Sequence, residues 1–235
     1  MDWYPQEKRE LEKQIDDFLN QQANKKSGVH GIIVPHAGYE FSGKIAGKAF
    51  SILKSKKINR AIILGPSHYT PLLGILTSSK KEWYTPLGVI NIFNEGFDEG
   101  EIQREHSISN QIPFLQKTGF KEILPLMIGQ ISDMQAVRIA EKISKIQALY
   151  IFSTDLSHFL PYEQAVVKDK RTIKIIKNLD LENADKIDAC GKSPLLVMMN
   201  LCKIKNFKPR LIEYKNSGDV TGDKASVVGY SSFWF

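Results

Sequence analysis

Three histidines in this sequence repeat one arrangement. His36 follows the apolar run 32–34, His68 follows 61–64, and His158 follows 148–152. Each run reads as a buried strand. The first stops at Pro35, which has no N–H to give to a ladder, and the second at Gly65-Pro66. The third exits through Ser153-Thr154-Asp155, which places a carboxylate three residues before His158. In open α/β sheets the carboxyl ends of the strands line one crevice, so the three imidazoles can converge there. Singly, each histidine is a turn or capping residue; the repetition is what points to chemistry. Two neutral imidazoles with an anionic third ligand suit a transition metal, and a carboxylate in third place gives the facial arrangement of non-haem Fe(II) enzymes. Cys190 is another candidate. It lies in a glycine-containing turn before a helix, where the helix dipole lowers a thiol pKa, although a small apolar packing residue is the alternative reading. Cys202, inside an apolar helix, reads as packing.

Two other chemistries fail on spacing. Gly191-Lys192-Ser193 has the end of a phosphate-binding loop, but the required earlier glycine would fall at Lys186 and no strand precedes it. Gly65-Pro66-Ser67-His68 lacks the G-x-S-x-G elbow of a serine hydrolase.

The elements that must hold these residues alternate. A helix is expected over residues 6–22, a polar connector over 24–28, and a second helix from Ser42 to Leu53 after the first strand. Residues 54–60 form a charged link. Short strands are expected at 72–77 and 89–93, with 83–88 as the turn of an edge hairpin. Residues 105–116 are partly helical around Pro113, 123–128 is a strand, and 134–146 is an amphipathic helix. A long basic helix over 162–178 and an apolar one over 195–202 follow. Strands at 210–214 and 225–235, joined by the loop 216–224, close the chain. The pattern predicts an α/β fold, a single domain over 1–235 with a mostly parallel central sheet flanked by helices and an antiparallel edge.

Composition narrows the classes. The 235 residues carry 32 Lys+Arg against 26 Asp+Glu, a net charge of +6 spread along the chain in pairs such as Lys25-Lys26 and Lys80-Lys81. Spread charge is solvated surface, and with no nucleic-acid-binding signature no nucleic-acid partner is expected. Two cysteines do not make a disulfide framework. The charged N-terminus lacks an apolar signal core, and no run approaches the roughly 20 apolar residues of a membrane span. A cytoplasmic protein without a membrane partner is the expectation.

Six spaced motifs carry a resemblance over nearly the whole chain. VPHAGY (34–39), LGPSHY (64–69), EHSISNQIPFL (105–115), STDLSHF (153–159), DACGKSP (188–194) and YKNSGDVTGD (214–223) together resemble the MEMO family. Its prokaryotic members are called AmmeMemoRadiSam system protein B, and its fold is similar to that of the class III extradiol dioxygenases, which are non-haem iron enzymes. The resemblance implies His36 and His68 as metal ligands, with Cys190 in place of the dioxygenases' carboxylate. It places His158 at the acid/base position with Asp155 beside it, and His106 near the site. A thiolate shifts preference toward Fe(II), Zn or Cu(I), and catechol cleavage does not follow from the fold. AMMECR1-like and radical-SAM proteins are implied partners.

The expectation is therefore a metal-dependent, dioxygenase-like oxidoreductase. Fe(II) is the first choice of ion, and the substrate is a small molecule or a peptide. Two rivals stand beside it. One is a non-catalytic module that holds a peptide or partner in the same crevice. The other is an amidase-like hydrolase with Cys190 as nucleophile and His158 or His36 as base.

Overall fold

A computed structural model describes residues 3–20, 27–53 and 58–235. In chain order the elements are α1 (Lys8–Leu19), β1 (Gly31–Val34), α2 (Tyr39–Ser51), β2 (Arg60–Pro66), β3 (Ile75–Ser78), β4 (Glu82–Thr85), β5 (Gly88–Ile92) and β6 (Glu99–Gly100). Next come α3 (His106–Ser109), α4 (Ile112–Lys117), β7 (Glu122–Ile128), α5 (Asp133–Ile143), β8 (Leu149–Ser153) and α6 (Tyr162–Asn178). After a 3-10 turn at Leu181–Lys186 come α7 (Lys192–Lys205), β9 (Arg210–Asn216), α8 (Ser217–Thr221) and β10 (Gly229–Trp234). The expected end of the first helix past residue 20 lies outside the described residues. So do most of the connector 24–28 and residues 54–57 of the charged link. Among the described residues no helix is long and apolar enough to cross a membrane.

The strands form one mixed sheet in the order β4-β5-β7-β2-β8-β1-β10-β9, with β3 paired to β7 and β6 to β3. Its centre, β5-β7-β2-β8-β1, is parallel, and β10, β9 and β4 add antiparallel edges. This is the expected mostly parallel α/β architecture, and it is consistent with the class III extradiol dioxygenase-like fold. Successive side chains of a strand point to opposite faces, and here both faces are covered. Ile33, Ile62, Leu64, Leu124 and Phe152 pack under α5, α6 and α7. Ile32, Val34, Ile63, Ile123 and Ile151 pack under α1, α2 and α4. Burial on both faces explains why these strands read as continuous apolar runs.

The hairpin prediction needs correction. The hairpin pairs β4 with β5, Trp83 opposite Ile90, so residues 83–85 are strand and the reversal falls at Pro86-Leu87. Trp83 is buried between exposed Glu82 and Tyr84, which is the alternation of a one-sided edge strand. β3 instead runs antiparallel to β7. Residues 216–224 hold the short helix α8, started by an Asn216–Asp219 capping box.

For the site, the order around β8 matters most. β8 lies between β1 and β2, so the exits of the three strands that precede His36, His68 and Asp155 are adjacent.

Candidate metal centre

Each exit delivers its residue through a local device. After β1, Pro35 breaks the ladder. The His36 main-chain N–H then donates to Asp155 Oδ1 at 2.8 Å, tying the β1 exit to the β8 exit. After β2, the His68 main-chain N–H donates to Glu105 Oε2 at 2.7 Å. Cys190 stands just ahead of α7, fixed by an N–H from Asp155 to its Sγ at 3.3 Å and by the Gly191 N–H to Thr154 Oγ1 at 2.9 Å.

The three side chains meet. One nitrogen each from His36 and His68 and the Cys190 sulfur all lie within 4.8 Å of one another. His36 Nε2 is 3.2 Å from Cys190 Sγ, and the His36 and His68 rings are perpendicular with centroids 5.1 Å apart. The far nitrogens are held by other residues. His68 Nδ1 is 2.8 Å from Glu105 Oε1, which leaves Nε2 for a ligand. His36 Nδ1 is 2.9 Å from Ser153 Oγ, which also accepts an N–H from Gln111.

Burial governs the electrostatics of the site. Burial, reinforced by the charge of the neighbouring histidines, lowers the His36 pKa well below its ordinary value, so the ring is unprotonated at neutral pH. Burial also opposes ionisation of Glu105. The His106 and His68 side chains and the main-chain N–H groups of His68 and Ser107 outweigh it, and the carboxyl stays well below the usual range. Burial raises the Asp155 carboxyl. The expected lowering of the Cys190 pKa by the α7 dipole is reversed. Burial and the nearby Asp155 charge push the thiol up to about 12, so in the absence of a cation it is not a thiolate at neutral pH. That weakens the hydrolase reading.

The remaining candidates border the same space. His36, His68, His106, His158 and Asp155 all line a cavity of about 490 Å³. His158 follows Ser157, whose N–H is anchored by Asp169 Oδ1 at 2.9 Å. Asp155, expected to orient His158, hydrogen-bonds His36 instead and reaches His158 by charge. His106 stacks on Trp3, centroids 4.1 Å apart, and its Nδ1 lies 3.3 Å from Glu105 Oε1 without hydrogen-bond geometry. His68, Glu105 and His106 also meet within 4.8 Å, but Glu105 is already bonded to His68 there, so this trio reads as support for the first. Cys190 lines not this cavity but a separate cleft, with Ser67 and Ser193.

Sequence reasoning missed Glu105, Ser153 and Gln111 as supports. The signal was that all three lie inside quoted motifs, Glu105 and Gln111 in 105–115 and Ser153 in 153–159.

The donor chemistry fits a soft or borderline cation: two imidazoles and one sulfur, each already oriented. A family model described as Memo-like protein matches residues 2–234. A MEMO1 family protein of Sulfurisphaera tokodaii is 36% identical, one of Aquifex aeolicus 32% and one of Nitrosopumilus maritimus 31%. Each alignment covers 99% of this chain and 96% of the relative. The chain belongs to the Memo family.

Proposed function

We propose that this protein is a metal-dependent oxidoreductase that holds its ion on His36, His68 and Cys190 and receives its substrate in the adjoining cavity. The supporting observation is the convergence of these three donors, drawn from two strand exits and a helix-start turn, within 4.8 Å. A two-histidine, one-cysteine set favours Fe(II), Zn or Cu(I) over hard cations, and Fe(II) is the ion that suits the redox reading. When bound, Fe(II) would supply a Lewis-acidic centre that can give up one electron. The chain's own residues do the rest. Glu105 and Ser153 orient the two imidazoles, and His158 moves a proton at the cavity wall with Asp155 in electrostatic reach. His106, packed on Trp3, shapes the neighbouring wall.

Metal content after anaerobic purification tests this reading. Near-stoichiometric metal is expected in the wild type, and at least a tenfold loss in His36→Ala, His68→Ala and Cys190→Ser. Equal content in all four proteins contradicts it.

A second reading, a non-catalytic module for a peptide or partner such as an AMMECR1-like or radical-SAM protein, is favoured by two exposed aromatics near the site. Phe159 is 76% exposed and Tyr69 57%. This reading requires a co-purifying partner that stays bound after chelation.

A further inference from the structure

We propose that Asp169 is a positioning residue, which from the buried face of α6 holds the bulge that carries His158 to the cavity. This rests on the reading of His158 as the group that moves a proton at the cavity wall. Past the β8 exit, residues 156–160 lie against residues 227–229. The Leu156 N–H donates to the Gly229 carbonyl at 2.8 Å, and the Gly229 N–H to the Ser157 carbonyl at 2.9 Å. The next grip is the antiparallel bridge at Leu160, whose carbonyl accepts the Val227 N–H at 2.8 Å. His158 and Phe159 therefore stand opposite Val228 alone. Extra residues on one strand of a pair form a bulge, which bends the chain and re-aims a side chain. Val228 turns away from them: its N–H donates to Ser217 Oγ at 3.0 Å and its carbonyl accepts the Ser217 N–H at 2.9 Å. The pairing thus grips both ends of the bulge and does not run across it.

α6 supplies the further hold. Ser157, the residue before His158, is fully buried, and its N–H donates to Asp169 Oδ1 at 2.9 Å. Asp169 is itself fully buried, and its Oδ2 accepts the Tyr214 hydroxyl at 2.8 Å. One carboxylate is thereby fixed from the β8 exit on one oxygen and from β9 on the other. Gly229 leaves room for it, since an added Cβ there would overlap the Asp169 carboxylate. A buried carboxylate is costly unless its oxygens are bonded, and a buried N–H is costly without an acceptor. Each satisfies the other here, at the root of the bulge. Phe159 shows that the bulge is held and not relaxed. Its φ is +57°, and a bulky residue stays in that region only where its surroundings over-determine the backbone.

Thr172 supplies the control. One turn further along α6 and equally buried, it takes the Asp188 N–H on Oγ1 at 3.1 Å, so its loss loosens the helix without touching the bulge.

The test is the main-chain order parameter of His158 and Phe159, from 15N relaxation of the chelator-stripped protein. A held main chain gives about 0.85 and a flexible one less than about 0.6. Wild type should lie at the upper value and Asp169→Ala at the lower. Asp169→Asn keeps an oxygen for the Ser157 N–H and should restore the wild-type value, and Thr172→Val should leave it unchanged. Should Asp169→Ala not fold, Tyr214→Phe, which frees one carboxylate oxygen from half-buried β9, should still bring both residues below wild type. An Asp169→Ala protein as ordered as wild type overturns the proposal, and so does an ordered Tyr214→Phe where it stands in for Asp169→Ala. Asp169→Asn or Thr172→Val as mobile as Asp169→Ala overturns it too, since the role would then be general packing. The ring is followed in the Co(II)-loaded protein, its signals assigned by their loss in His158→Gln. Their paramagnetic shift should fall at least about twofold in Asp169→Ala, and an unchanged shift again overturns the proposal. Failure of Co(II) to load would count against the metal reading alone, because the order parameters are measured without metal or turnover.

Discussion

His68 depends on Glu105. The carboxylate takes both the His68 main-chain N–H and its Nδ1, at 2.7 and 2.8 Å, although the two residues are 37 positions apart. Glu105→Gln keeps the shape and removes the charge. Losing such an orienting partner weakens metal binding by about 10- to 100-fold, which a competition titration with a chromophoric chelator would measure. The same residue makes a pH prediction. Its folded pKa is depressed, so its contribution to stability is complete above the ordinary value of 4.5 and is lost as pH falls through the folded value. The stability gap between wild type and Glu105→Gln, from urea midpoints, should therefore shrink as pH drops below about 4.5. A gap that widens on acidification contradicts this. Local marks brought out His36, His68 and His158 alike, a histidine after a strand stop, and it was the family resemblance that set His36, His68 and Cys190 apart as the candidate donors. The supports had no such mark. Glu105 and Ser153 have ordinary local contexts, and their roles exist only through contacts with residues 37 and 117 positions away.

At the level of elements, the strands that were predicted best are those buried on both faces. β7 shows what periodicity leaves out. Pro125 sits inside this interior strand, opposite Ile63 of β2, where a missing N–H would break a ladder. On its other side β7 pairs with β5 up to Ile123 and with β3 from Leu126 onward. Pro125 thus falls where one neighbour gives way to the next, and its carbonyl accepts the Thr77 hydroxyl at 2.8 Å. The hairpin was misplaced because Pro86 and Gly88 suggest a turn reaching back to residue 83, although Trp83 and Tyr84 favour strand and only Pro86-Leu87 reverse the chain. At the start of α7, Gly191 is set by close approach. An added Cβ would overlap the Thr154 side chain and lie 2.9 Å from the Ser153 carbonyl. Gly191→Ala should cost about 1–3 kcal/mol in urea unfolding and weaken metal binding, because Cys190 is the preceding residue. Unchanged stability and metal content would mean that the turn shifts freely and does not fix the sulfur.

Across the whole molecule, one sheet with a core on each face makes the strand exits a rigid platform, and the site joins two of those exits to the turn before α7. An ion that binds only the folded form must then stabilise the entire domain. At a free concentration 100-fold above Kd the gain is about 2.7 kcal/mol, or roughly 5–10 °C in Tm for a chain of this size. Thermal melts with and without Zn(II) should show that rise in the wild type and none in Cys190→Ser. The most direct test of the central claim is the zinc X-ray absorption spectrum of the Zn(II)-loaded protein. The three-donor site predicts one sulfur scatterer at about 2.3 Å and two imidazole nitrogens at about 2.0–2.1 Å, with the sulfur shell lost in Cys190→Ser. A wild-type spectrum with only oxygen and nitrogen neighbours, unchanged by that substitution, would contradict it.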